Sequence, residues 1–191
     1  TLSSSSAASD VYKRQVLGII GMGRIGQAVA HRARAFGLDI IYHNRRRLPE
    51  AVENMLGARH VDLDTLLDKS DIVTLHCPLT EDTRHLIDGA AIDRMKDEAY
   101  LVNTARGELI DQAALCDALK SGKLGGAGLD VFTGEPDVDL ELVNLANVTP
   151  LPHLGSATWE GRIAAGEKVI ANIRFWMDGH RPPDMVLTGL L

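Results

Sequence analysis

Apolar residues in this chain come in short bursts separated by segments with helical spacing, and the two patterns alternate. Val16–Ile20 is a compact apolar run that predicts a buried strand, and Leu38–Tyr42 predicts a second. Between them Ile25, Val29 and Ala33 recur at the period of one helix face. The alternation continues with a helix over Pro49–Leu56, a strand over Arg59–Val61 and a helix over Leu63–Lys69 that buries Leu63, Leu66 and Leu67. Asp71–His76 is the next strand, Ala90–Lys96 a short helix and Ala99–Thr104 a strand. Asp111–Ser121 is a helix with Leu115 and Leu119 inward, followed by a strand over Gly128–Phe132. A helical turn over Leu140–Asn144, a short strand over Asn147–Thr149 and a long helix over Ser156–Met177 complete the series. Ser156 is the expected N-cap of that last helix and Gly179 its stop. Trp159 and Trp176 on it are expected to pack. Strands alternating with helices predict an α/β fold with a parallel, doubly wound sheet.

The first strand–helix–strand unit carries chemistry. Gly21, Gly23 and Gly26 form G-x-G-x-x-G at the turn out of the first strand. The first glycine permits the tight turn, the second lets backbone approach a pyrophosphate, and the third allows close helix–strand packing. The helix amino-terminus offers N–H groups to the phosphates. The unit therefore predicts a Rossmann-type dinucleotide site.

The end of the second strand narrows the ligand. A reader of NAD places a carboxylate about 20 residues past the glycines, to accept from the ribose 2′-hydroxyl. Here Asn44 occupies that place, and Arg45, Arg46 and Arg47 follow; no carboxylate falls between Asp39 and Glu50. Guanidinium can fork a 2′-phosphate that a carboxylate would repel. NADP(H) is the expected cofactor, with NAD(H) possible.

In doubly wound sheets ligands bind beyond the carboxyl ends of the strands. Arg106, Glu135 and His153 follow three successive strands of this sheet. Reduction of a keto acid by hydride needs a cation for the substrate carboxylate and an acid/base for the carbonyl oxygen. A carboxylate can orient that base and raise its pKa.

Bulk properties agree. The 191 residues suit one domain and part of a second, and 45% hydrophobic with 24% charged residues is ordinary for a soluble globular protein. A net charge of −6 argues against a nucleic-acid surface. No apolar run approaches a membrane span. Cys77 and Cys116 have no metal spacing and imply no disulfide framework, which fits a cytoplasmic location. The opening TLSSSSAASDVYKRQ has no apolar core of a secretory signal. It resembles a translated sequencing-adapter remnant, so residues 1–15 are expected to be a non-native, disordered leader. The dinucleotide domain is expected over 16–155, and 156–191 as a helix and tail returning to a substrate domain.

The strings GMGRIG, HCPLTEDTRHLI, LVNTARGELIDQAAL, GAGLDVFTGEP and PHLGSAT, in this order, resemble the D-isomer-specific 2-hydroxyacid dehydrogenases, and within them the glyoxylate/hydroxypyruvate reductase branch. The resemblance runs from Val16 to about Val186. It implies Arg106 as the substrate-carboxylate arginine, His153 as the acid/base, in contact with substrate and cofactor, and Glu135 as its carboxylate partner. It implies a cofactor cradle of Gly21, Met22, Gly23, Arg24, Ile25 and Gly26, with Asn44, Arg45 and Arg46 at the ribose. Cys77, Pro78, Thr83, Thr104, Ala105, Arg106 and Gly155 would line the cofactor, and Asp130 would meet the nicotinamide carboxamide. Glu135 argues against formate dehydrogenase, whose relatives carry Gln there.

The same resemblance implies a small 2-keto or 2-hydroxy acid substrate and a homodimer in the intact protein. Family members carry an amino-terminal half that supplies most of the substrate domain, and this sequence is expected to lack it. Weak NADP(H) binding and poor turnover are expected of the sequence as written. Three rivals remain: an NAD(H)-sensing co-repressor of the C-terminal-binding-protein type, which the arginines disfavour; phosphoglycerate dehydrogenase, which usually has an acidic residue at the Asn44 place; and a bare dinucleotide-binding fragment with no activity.

Overall fold

A computed structural model describes residues 15–185; the expected leader otherwise lies outside the described residues, as does the end of the expected tail. The chain divides into two compact units at Pro152/His153.

The first unit is built on a seven-stranded, wholly parallel sheet in the order β3-β2-β1-β4-β5-β6-β7. The strands are β1 (Val16–Ile20), β2 (Asp39–His43), β3 (Ala58–His60), β4 (Ile72–Leu75), β5 (Ala99–Asn103), β6 (Leu124–Leu129) and β7 (Val148–Pro150). The connecting helices are α1 (Arg24–Ala35), α2 (Glu50–Leu56), α3 (Leu63–Lys69), α4 (Gly89–Arg94), α5 (Gln112–Ser121) and α6 (Leu140–Val143).

Successive strand residues point to opposite faces, and both faces are buried. Leu17, Ile19, Ile40 and Tyr42 join Ala30 and Ala33 of α1 and Leu56 of α2 in one core. Ile20, Ile41, Val73, Leu75 and Leu101 join α3, α4 and α5 in the other, with Leu66, Leu67, Ile92, Leu115 and Leu119 buried.

The elements match the sequence expectation to within a residue or two, apart from the differences that follow. β6 runs over Leu124–Leu129, not Gly128–Phe132. Its LGGAGL sequence looks like a loop, yet its glycines answer a lack of room: a Cβ at Gly125 would stand 2.5 Å from the Glu98 carbonyl oxygen, and one at Gly126 2.8 Å from that of Asn147. Helix α1 buries Gly26, Ala30 and Ala33; of the expected stripe Ala33 is buried and Val29 packs partly buried on the same core, but Ile25 is 64% exposed. Small residues on the inner face let the helix lie close to the sheet.

The second unit holds one long helix, α7 (Trp159–Met177), whose N-cap is Thr158 rather than Ser156; the Thr158 hydroxyl accepts from Gly161 N–H at 3.0 Å. Trp159 and Trp176, expected to pack, are 76% and 73% exposed.

Candidate active site at the carboxyl edge of the sheet

The strands end level. Ile20 is in register with His43 and with Leu75, Leu75 with Asn103, Asn103 with Leu129, and Leu129 with Pro150. Every candidate residue of the first unit therefore leaves the sheet from one edge. β1 lies between β2 and β4, so the chain reverses its winding between β1 and β4, which is where such sheets open a crevice.

Each glycine after β1 has a separate physical reason. Gly21 takes a φ of +98°, and a Cβ there would stand 2.4 Å from the Cys77 backbone nitrogen. A Cβ at Gly26 would stand 2.3 Å from the Gly21 carbonyl oxygen, so the helix sits directly on the turn. At Gly23 the same Cβ meets nothing within 4 Å. Gly23 is also the N-cap of α1 and supplies no side-chain cap. The space beside the start of the helix is thus open, with Arg24 and Ile25 exposed there. A pyrophosphate fits this cradle.

At the end of β2, the Asn44 side-chain oxygen accepts from Met22 N–H at 2.9 Å, which ties the ribose end to the glycine loop. With that oxygen committed, the rest of the amide is a donor. Arg45 and Arg46 are exposed. Arg47 is different: its Nε and Nη2 donate to the two carboxylate oxygens of Glu53 at 2.9 and 2.7 Å. Glu53 is buried and also accepts from the Tyr42 hydroxyl at 2.6 Å. Arg47 and Tyr42 together hold its carboxyl down at about 2. Of the three successive arginines, the third serves the fold.

After β4, Cys77 is half-buried, and burial pushes its thiol pKa up; burial likewise pushes the His76 imidazole down. His76 Nε2 lies 3.0 Å from the Thr74 hydroxyl. The Thr83 hydroxyl donates to the Pro78 carbonyl at 2.8 Å and accepts from Thr80 N–H at 2.7 Å. Thr83 therefore shapes the loop that carries Pro78.

After β5, fully buried Asn103 braces the turn: its amide donates to the Arg106 carbonyl at 2.8 Å and its side-chain oxygen accepts from Ala105 N–H at 3.0 Å. Thr104 and Arg106 are exposed, and the Arg106 guanidinium donates to the Ala105 carbonyl at 2.6 Å. Gly107 then presses on the β6 loop, where a Cβ would stand 2.1 Å from the Phe132 carbonyl carbon. In that loop Glu135 accepts from Phe132 N–H at 2.7 Å, and Asp130, just past β6, is buried with its N–H on the Asn103 carbonyl at 2.9 Å. The Arg106 turn and the Glu135 turn are thus in contact through Gly107. Asn103 and Gly107 escaped the sequence reading; the pairing of Asn with a following Ala-Arg-Gly was the signal that could have found them.

His153 and Gly155 open the second unit. His153 is exposed and holds a left-handed φ of 55°. Among the described residues no cluster of His, Cys, Asp or Glu could hold a metal ion, and no helix is long and apolar enough to cross a membrane.

Residues 3–155 match the model of the D-isomer specific 2-hydroxyacid dehydrogenase, NAD binding domain. The chain belongs to that family. A glyoxylate reductase of Thermococcus litoralis is 49% identical over 179 residues, which cover 94% of this chain and 54% of that protein. The crystal structure of a glyoxylate reductase from Paecilomyes thermophila superposes with a TM-score of 0.82 at 46% identity, over 87% of this chain and 51% of that one. That of D-lactate dehydrogenase from Aquifex aeolicus, complexed with NAD and lactic acid, gives 0.81 at 33% identity, over 88% and 55%. The chain spans about half the length of these relatives.

Proposed function

We propose that the intact protein is an NAD(P)-dependent 2-hydroxyacid dehydrogenase that reduces glyoxylate or hydroxypyruvate, to glycolate or D-glycerate, with NADP(H) preferred over NAD(H). The observation that carries this reading is the level carboxyl edge, from which the glycine cradle, the Asn44–Arg46 segment, and the Arg106 and Glu135 turns all emerge. The glyoxylate reductases at 46–49% identity support the substrate class.

Bound at this edge, the reduced nicotinamide supplies a hydride. Gly23 and the first turn of α1 hold the pyrophosphate; Asn44, Arg45 and Arg46 meet the ribose and its 2′-phosphate. Arg106 grips the substrate carboxylate bidentately and so fixes the carbonyl carbon. His153 is the proposed proton donor to the carbonyl oxygen, and Glu135 the carboxylate that the family resemblance pairs with it; general acid help of this kind contributes about 10²–10⁴-fold. By the family resemblance Asp130, Cys77, Pro78, Thr83, Thr104, Ala105 and Gly155 would line the cofactor. The intact protein works as a homodimer in the cytoplasm.

The test is oxidation of NADPH and NADH by the full-length protein with glyoxylate, hydroxypyruvate, pyruvate and phosphohydroxypyruvate. The reading expects glyoxylate or hydroxypyruvate with NADPH to give the highest kcat/KM, and His153→Ala to lose turnover while binding NADPH. Preference for NADH, or near-normal kcat in His153→Ala, overturns the corresponding part.

A further inference from the structure

The segment Asn44–Arg47 is held at both ends and open in the middle. At its start the Asn44 side chain is tied to Met22, and the Asn44 backbone carbonyl lies 3.2 Å from His60 Nε2. At its finish Arg47 is forked onto Glu53, and Leu48 N–H donates to the Tyr42 hydroxyl oxygen at 2.8 Å. Arg45 and Arg46 stand exposed between these clamps.

His60 is itself well placed to act as a clamp. It is the register partner of Tyr42, meets the Tyr42 ring edge-on at 5.2 Å between centroids, and stacks on His43 at 6.2 Å. His43 Nδ1 in turn lies 3.2 Å from the Val61 carbonyl. A carbonyl oxygen can only accept, so His60 carries its hydrogen on Nε2.

We infer that His60 is a specificity-determining positioning residue: by holding the Asn44 carbonyl, it fixes the Asn44–Arg46 segment in the form that takes a 2′-phosphate. The inference rests on the NADP(H) preference proposed above. A pair of arginines on a slack loop would lose conformational freedom on meeting a phosphate. Here the backbone on either side of the pair is held beforehand, so more of the guanidinium–phosphate attraction appears as affinity. His60 touches the Asn44 carbonyl and not the glycine turn, so the effect is expected to fall mainly at the 2′ position.

The experiment uses the 191-residue chain and two probes, adenosine 2′,5′-bisphosphate and 5′-AMP, titrated calorimetrically into the parent, His60→Leu and His60→Gln. The Gln amide nitrogen reaches about as far as Nε2 and can donate to the same carbonyl. His60→Leu is expected to weaken the bisphosphate about three- to tenfold relative to 5′-AMP, the worth of one hydrogen bond, and His60→Gln to recover most of it. Should His60→Leu fail to fold, His60→Asn, whose amide is too short, takes its place. Equal weakening of both probes, or an unchanged ratio, overturns the positioning role. A parent that does not prefer the bisphosphate overturns the NADP(H) reading, and this inference with it.

Discussion

Asn44, at the end of β2, accepts a hydrogen bond from the backbone N–H of Met22 across the mouth of the glycine turn. Asn44→Asp would keep that bond through one carboxylate oxygen and place the other where the amide nitrogen stands. A second acceptor suits a 2′-hydroxyl and repels a 2′-phosphate, and a hydrogen bond to a charged group is worth about 1.5–3 kcal/mol. The expected outcome is at least a tenfold fall in NADPH affinity relative to NADH, read by calorimetry, with an unchanged melting temperature.

The glycines of the turn separate fold from binding. Gly23→Ala places a methyl in open space, so the melting temperature should hold while dinucleotide affinity falls. Gly26→Ala drives a methyl into the Gly21 carbonyl and should cost about 1–3 kcal/mol of stability. Thermal melts with and without NADPH distinguish the two; equal destabilisation by both would contradict the assigned roles.

Glu53 sets part of the acid limit of the fold. Its carboxyl, held at about 2 by Arg47 and Tyr42, is lower in the folded than in the unfolded chain. The resulting stabilisation is complete above the ordinary carboxylate range near 4.5 and is lost as pH falls from there toward 2. Urea unfolding of the parent should steepen across that window, and Glu53→Gln should flatten it while leaving a lower plateau at neutral pH.

Asn103 is a prediction for catalysis in the intact protein. Asn103→Leu leaves the Ala105 N–H and the Arg106 carbonyl without their partner, at a cost of about 1–3 kcal/mol for each group that stays dry. Loosening the turn should raise KM for the keto acid more than it changes KM for NADPH. A change confined to NADPH would place Arg106 elsewhere in the reaction.

Much of this was readable from residues alone, because the signals are local. A glycine turn after a five-residue apolar run needs only its own neighbours to be recognised. β6 was misplaced for the opposite reason: Gly125 and Gly126 are explained by Glu98 and Asn147, which are remote in sequence. The same holds for Arg47. Three adjacent arginines look equivalent until Glu53 and Tyr42 are seen to engage one of them. The buried stripe of α1 was shifted because alanine and glycine, not Ile25, give the closest approach to the sheet. Thr158 displaced Ser156 as N-cap although serine is if anything the better capping type, because the Gly161 N–H lies within reach of the Thr158 hydroxyl.

Gly107 leaves no clearance between the turn that carries the guanidinium and the turn that carries the acid. A side chain at position 107 would therefore push the two turns apart. If Arg106 and Glu135 hold the roles proposed for them, a substitution that tilts one turn displaces the other by the same stroke.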